Sequence, residues 1–269
     1  MDIIDAHLHF SPEEDYFSQI AKQAGHQNTA AHLQEAFYQC GIVKGIVMGN
    51  RDLALSSHEY PAFLSYCIGI DGQVLLPRQL ELIEGHLQRQ ECVGIKLYPG
   101  YQPTYLSHPM YEPVYELAAQ YQKPVAIHMG LTASANALLK YSHPLTLDEV
   151  AVAHPHVSFV MCHFGNPWLM DAAAVVSKNE NVYTDLSGLL EGQIQLDQLF
   201  AEQSGYISAL QTWLAFIGNY DKILFGTDWP LVNLGQYIQF IARIIPERHH
   251  DKVFCHNAAR VYRLSERTL

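Results

Sequence analysis

The chain alternates between short apolar runs and longer stretches in which apolar residues recur at helical spacing. Eight of the runs are rich in β-branched residues, as expected for parallel strands that are buried on both faces. We predict strands at residues 3–7, 42–48, 65–70, 93–98, 124–128, 157–163, 181–186 and 222–228. One predicted helix covers residues 30–41 and stops at Gly41. Another covers residues 146–153, where Thr146 and Glu149 have the spacing of a capping box.

This repeated strand–helix order predicts an α/β fold, a (β/α)8 TIM barrel. The chain has 269 residues, and a barrel of this type needs about 250. We therefore expect residues 1–269 to form a single barrel domain. A doubly wound open sheet is the alternative, but the sequence has neither the G-x-G-x-x-G nor the Walker A motif that would support it.

Composition narrows the class of partner. The net charge is -11 and no basic run occurs, which argues against nucleic acid or an anionic membrane as the main partner. The five cysteines are odd in number and contain no C-x-x-C pair, so we expect no disulfide framework and a reducing, cytoplasmic location. The expected partner is a small-molecule substrate, which could be anionic. The sequence does not determine whether the protein forms a homo-oligomer.

Polar residues collect at the carboxyl ends of the predicted strands, where barrel active sites form. They are His7, His9, Lys96, His128, His163 and Asp228. Because residues i and i+2 of a strand point to the same face, His7 and His9 can approach one ion together. His154 and His156 form a second H-x-H pair, but they precede the strand at 157–163 and therefore belong to the opposite end of a barrel.

Histidine and aspartate side chains in this arrangement predict a metal site. Neutral imidazoles and a carboxylate suit zinc, with manganese, iron and cobalt as alternatives. A bound metal can lower the pKa of its water to about 7, and Asp228 could then accept a proton from that water. His163 could be a ligand or could polarise a substrate oxygen, and the residues alone leave both roles open.

The chain resembles the amidohydrolase superfamily at five motifs: DAHLHF, GIKLYP, PVAIHMG, FVMCHFG and LFGTDWP. The resemblance is closest to the amidohydrolase-related group that contains amino-carboxymuconate-semialdehyde decarboxylase and γ-resorcylate decarboxylase. It implies a metal-dependent barrel enzyme with metal ligands at His7, His9, His128 and Asp228. It also implies a catalytic or second-site role for His163.

Lys96 decides between two versions of the site. In the version that we predict, one metal is bound, and Lys96 remains an ammonium that binds a carboxylate of the substrate. In the alternative, Lys96 is carbamylated and bridges two metals, as in dihydroorotase, a more distant relative with a similar K-L-Y-P stretch. The known decarboxylases of the group generally bind one metal and lack a lysine bridge.

The predicted function is metal-dependent hydrolysis of a small-molecule amide, ester or lactone by a metal-activated water. His163, Asp228 and Lys96 are its expected catalytic residues. The alternative is a non-oxidative decarboxylase of a small carboxylic acid that uses the same site. A barrel that binds a metal or small molecule without turnover is a third hypothesis. A DNase of the TatD type is disfavoured, because that type has a glutamate where this chain has Lys96.

Several other residues are weaker candidates. Arg51 could bind an anionic substrate, Asp5 could support His7, and Asp185 at the end of the seventh predicted strand could contact the substrate or another strand. Aromatic residues near the strand ends could line a pocket: Tyr98, Tyr101, Trp168 and Trp229. The stretches 11–28 and 187–204 are long enough to form lids.

Overall fold

Parallel strands in sequential order form the centre of the protein. The computed structural model describes residues 1–50, 52–70 and 75–264, so Arg51 lies outside the described residues. Within these ranges, eight strands pair in the order β1 to β8, and each neighbouring pair is parallel. The strands are β1 (Ile3–Leu8), β2 (Ile42–Met48), β3 (Leu64–Ile70), β4 (Cys92–Leu97), β5 (Val125–Ile127), β6 (Phe159–Met161), β7 (Val182–Asp185) and β8 (Ile223–Leu224). The predicted TIM barrel is confirmed.

The two ends of the sheet meet through backbone contacts just beyond β8. The N–H of Asp228 donates to the carbonyl of His7 over 2.8 Å, and the N–H of His9 donates to the carbonyl of Trp229 over 2.7 Å. Leu8 and Trp229 form a parallel bridge at the same place. Closure of the barrel therefore brings the beginning of the chain against residues more than 200 positions later.

The last strands are shorter than the sequence predicts. β6 ends at Met161, and β8 ends at Leu224. His163 and Phe164 then adopt φ angles of 61° and 48°, and Asp228 has a φ of 63°. A left-handed backbone cannot continue a strand ladder. His163 and Asp228 therefore lie beyond the ends of β6 and β8, and not at the last strand positions that we predicted.

Helices cover the outside of the barrel. They are α1 (Asp15–Gln23), α2 (Ala30–Cys40), α3 (Pro77–Leu87), α4 (Glu112–Tyr121), α5 (Leu145–Ala153), α6 (Leu169–Lys178), α7 (Leu196–Glu202), α8 (Ser204–Ile217), α9 (Leu234–Ile244) and α10 (Asn257–Val261). Helix α2 ends at Gly41, as predicted. The capping box of α5 is wrong, because the helix begins at Leu145 and the hydroxyl of Thr146 donates to the carbonyl of His143. In the part of the chain that the structure describes, no helix is long and apolar enough to cross a membrane.

The apolar core has two layers, one inside the barrel and one between the strands and the helices. In β4, Ile95 and Leu97 belong to the outer layer. Because side chains alternate along a strand, Lys96 points into the barrel, where its Nζ contacts Sγ of Cys162 in the inner layer. The interior thus carries a lysine side chain directly below the carboxyl ends of the strands.

Candidate metal centre

Three of the predicted ligands converge where the barrel closes. His7 is fully buried in β1, His9 follows this strand, and Asp228 lies in the turn after β8. The Oδ1 atom of Asp228 is 3.4 Å from Nε2 of His7 and 3.4 Å from Nε2 of His9. Ligand atoms of these three residues lie within 4.8 Å of one another, close enough to hold one ion.

His128 and His163 form a second pair beside this group. They follow β5 and β6, and Nε2 of His163 is 3.1 Å from Nδ1 of His128. The ring centroids of His163 and His7 are 4.7 Å apart. The structure therefore brings all four histidines to one end of the barrel, with His163 between His7 and His128.

Backbone carbonyls determine which nitrogen of His9 and His128 faces the centre. Nδ1 of His9 lies 3.1 Å from the carbonyl of Met48, and Nε2 of His128 lies 3.2 Å from the carbonyl of Leu131. A carbonyl only accepts, so each of these nitrogens must carry the hydrogen. The opposite nitrogens of the neutral rings then present lone pairs toward the centre, as metal ligation requires.

Asp185 and Ser187 determine which ring nitrogen of His7 and of His163 carries a hydrogen. Nδ1 of His7 donates to Oδ2 of Asp185 over 2.9 Å, and Nδ1 of His163 lies 2.9 Å from the hydroxyl of Ser187. The hydroxyl of Ser187 in turn donates to Oδ1 of Asp185 over 2.5 Å. Sequence reasoning named Asp185 without its partners and missed Ser187, although the D-x-S spacing just past a strand end was a usable signal.

The electrostatics separate His7 from the other histidines. Burial, together with the positive charge of His7, holds the pKa of His9 and of His163 well below the usual range, and the pKa of His128 falls to about 3 through burial and nearby cations. Burial alone would lower the pKa of His7, but the carboxylate of Asp185 outweighs it and raises this pKa to about 10. A metal that binds at neutral pH must therefore displace a proton from His7.

Two buried atoms at the centre have the chemistry of cation ligands. Among the described residues, Nε2 of His7 and Oδ1 of Asp228 have no hydrogen-bond partner. Burial raises the pKa of the Asp228 carboxyl. Buried polar atoms without partners are costly, and a divalent cation between nitrogen and oxygen ligands would satisfy both atoms. The donor set is of the kind that zinc prefers.

Lys96 places its side-chain nitrogen next to this cluster. Its side chain is fully buried, with Nζ 2.8 Å from Sγ of Cys162 and 5.2 Å from the ring centroid of Tyr98. After burial, the charge of Lys96 is the largest cause of the lowered pKa of His128. The lysine therefore favours neutral imidazoles, which are the form that binds a metal.

Aromatic rings border the centre on two sides. Tyr101 packs against His128, with ring centroids 5.0 Å apart. Phe17 of α1 stacks on His9 at 5.7 Å, so part of the predicted lid covers the site. These contacts give the centre an apolar rim, as expected for a small-molecule site.

Other sequence candidates lie elsewhere or have a different role. Trp168 packs on His143 at 4.7 Å, and Trp229 packs on His26 at 4.6 Å. His154 lies between the end of α5 and the start of β6, on the amino side of the strand, as predicted.

Asp5 accepts a hydrogen bond from the backbone of His7 and not from its imidazole. Its Oδ1 accepts the backbone N–H groups of Thr227 and His7 over 2.9 and 3.2 Å, and its Oδ2 accepts the hydroxyl of Thr227 over 2.6 Å. Asp5 therefore joins β1 to the turn that carries Asp228.

A barrel with histidine and aspartate side chains gathered at its strand ends belongs to a class of metal-site barrel enzymes. The sequence model of the amidohydrolase family matches residues 4–264, so the chain belongs to the amidohydrolase family, and the resemblance noted from its motifs is confirmed. Enzymes of this family are metal-dependent. Comparison with curated proteins gave no match.

Solved structures share the whole fold at low sequence identity. An uncharacterized TIM-barrel protein from Bordetella bronchiseptica is 19% identical with a TM-score of 0.73, covering 97% of this chain and 98% of its own. A zinc-bound amidohydrolase from Burkholderia multivorans is 16% identical with a TM-score of 0.69, covering 98% and 100%. The 2,6-dihydroxybenzoate decarboxylase from Rhizobium is 18% identical with a TM-score of 0.66, covering 98% and 99%. At these identities the likeness concerns the fold.

Proposed function

We propose that this protein is a metal-dependent hydrolase that cleaves an amide, ester or lactone bond of a small molecule with water. One observation carries the proposal: four imidazoles at one end of the barrel each commit one nitrogen to an oxygen acceptor, and the other nitrogens of His7 and His9 face the carboxylate of Asp228 at 3.4 Å. We further propose that residues 1–269 form one catalytic domain, because strands from both ends of the chain supply this site.

In this proposal, His7, His9, His128 and Asp228 hold one metal, with zinc preferred and manganese as the main alternative. When bound, such an ion supplies a Lewis acid and lowers the pKa of water to about 7 in favourable sites. His128 is the proposed ligand that lies outside the group of His7, His9 and Asp228, because the ring of His163 lies between His128 and His7.

Asp228 is the proposed proton acceptor. Its Oδ1 faces the imidazoles, which leaves Oδ2 to take a proton from the attacking water. Burial raises its pKa, so the carboxylate is a better base than an exposed aspartate. The same oxygen can return the proton to the leaving nitrogen or oxygen when the bond breaks.

His163 is proposed to orient the water. Its Nδ1 hydrogen is committed to Ser187, so Nε2, which lies 3.1 Å from Nδ1 of His128, is the nitrogen that faces the centre. In the neutral ring with hydrogen on Nδ1, this nitrogen accepts a hydrogen bond from a water.

Lys96 supports a second candidate function. A buried ammonium next to the centre is a natural counter-charge for a substrate carboxylate, and decarboxylation of a small carboxylic acid is the alternative that uses such a group. Lys96 then stabilises the bound anion, while His163 and Asp228 handle protons.

The test measures metal and products together. Purified protein loaded with zinc or manganese should release acid from a panel of small amides, esters and lactones, with carbon dioxide trapped in parallel from small carboxylic acids. The variants His7→Ala and Asp228→Ala should lose most bound metal and turnover while keeping the fold. The double variant His154→Ala, His156→Ala is the matched control and should keep both. Full metal occupancy in both ligand variants contradicts the proposed ligands, and carbon dioxide without hydrolysis selects the decarboxylase.

A further inference from the structure

Asp185 ends β7 and is completely buried between two of the site histidines. We infer that Asp185, together with Ser187, is a positioning residue that fixes the ring orientation of both His7 and His163. This inference rests on the proposed metal centre and adds to it two residues that hold one proposed ligand, His7, and the proposed water-orienting residue, His163.

The contacts of the carboxylate are all with donors. Oδ2 accepts from Nδ1 of His7, and Oδ1 accepts from the backbone N–H of His163 over 2.9 Å and from the backbone N–H of Ser187 over 3.1 Å. The hydroxyl of Ser187 is the fourth donor. A carboxylate can accept on both oxygens, whereas an asparagine of the same shape must place an NH2 group against one of these donors.

Ser187 extends this effect to the ring of His163. Its single hydroxyl hydrogen goes to Asp185, so its oxygen can only accept from Nδ1 of His163. The backbone carbonyl of Ser187 lies 3.3 Å from the same nitrogen and also demands a hydrogen there. Nδ1 of His163 must therefore carry a hydrogen, which leaves Nε2 as the ring nitrogen on the side of the centre, 3.1 Å from Nδ1 of His128.

One carboxylate consequently couples imidazoles from β1 and from the turn after β6. Outer partners of ligating histidines typically contribute 10–100-fold to metal affinity or activity. We expect Asp185 to act mainly through His7, a proposed ligand, and Ser187 through His163 alone.

The experiment compares Asp185→Asn, Ser187→Ala and Asp197→Asn. Asp197 is a control because its carboxylate is 95% exposed and pairs with Arg243 on the surface. Zinc affinity is measured by competition with a chromophoric chelator. Nitrogen-15 NMR of the histidine side chains in zinc-loaded protein reports which ring nitrogen carries hydrogen, and circular dichroism reports the fold.

Asp185→Asn should weaken zinc binding about 10–100-fold and alter the Nδ1 resonances of both His7 and His163. Ser187→Ala should alter only the His163 resonance and affect zinc less than Asp185→Asn does. A folded Asp185→Asn protein with wild-type zinc affinity and resonances overturns the inference. If Asp185→Asn does not fold, an unchanged His163 resonance in Ser187→Ala overturns it. Failure to find hydrolysis would leave these readouts intact, so the two proposals fail separately.

Discussion

Gly188 offers a direct test of how tightly the centre is built, because it separates His163 from Asp228. A Cβ at this position would lie 2.8 Å from Nδ1 of His163 and 3.0 Å from Oδ2 of Asp228, against 3.4 Å for the closest ordinary contacts. The variant Gly188→Ala must therefore move these groups by about 0.4–0.6 Å, whereas metal–ligand distances tolerate about 0.2 Å. We expect zinc affinity to fall about 10–100-fold, as for other changes just outside a metal site.

Backbone strain adds a second effect that a control can isolate. Gly188 has a φ of +61°, and a side chain in this region costs about 1–2 kcal/mol. Gly218 has a φ of +65°, but a Cβ there would meet only backbone oxygens at 3.7 and 3.9 Å. Gly218→Ala should therefore lower the free energy of unfolding by a similar amount and leave zinc affinity unchanged. Denaturant unfolding and chelator competition on both variants provide the comparison. Equal zinc affinities in the two variants would refute the idea that Gly188 leaves room for the centre.

The remaining predictions concern Lys96, His163 and His86. Lys96→Met should mainly raise KM for an anionic substrate and leave one metal per chain; elemental analysis showing two ions falling to one would favour a bridging carbamate. His163→Asn should reduce kcat about 10²–10⁴-fold with little change in zinc content, and a parallel loss of zinc would make His163 a ligand. His86 is buried between Tyr66 and the carbonyl of Leu53, and burial lowers its pKa from 6.5 to about 4. The unfolded chain therefore binds the proton more tightly, and stability should fall by up to about 3 kcal/mol as the pH drops from 6.5 to 4. His86→Gln should flatten that pH dependence in denaturant unfolding, and an unchanged slope would count against it.

The barrel could be predicted from the sequence because its strands are buried on both faces. Continuous β-branched runs such as 42–48 mark these strands, and the observed β2 has the same bounds. The later strands were overestimated for a local reason. Residues 157–163 and 222–228 are apolar enough to be strands, but the chain leaves the ladders after Met161 and Leu224 and turns left-handed at His163 and Asp228, and hydrophobic pattern carries no signal for such turns.

The site was predictable only as a set of positions. The strand-end rule brought His7, His9 and Asp228 to one place, and the structure places their ligand atoms together. Which nitrogen of each ring faces inward depends on acceptors such as the carbonyls of Met48 and Leu131. Carbonyls are common to every residue, so no residue type in the sequence could identify these two.

The contacts that close the barrel also build the centre, and this determines what ligand variants should do. Asp228 is held by its backbone N–H on the carbonyl of His7, and Asp5 ties the turn at Thr227 to the backbone of the same histidine. None of these bonds uses the imidazole of His7 or the carboxylate of Asp228. Loss of either side chain should therefore remove a ligand while β1 and the turn after β8 stay joined. Metal binding is therefore expected to require the folded barrel, whereas the barrel is expected to fold without the metal.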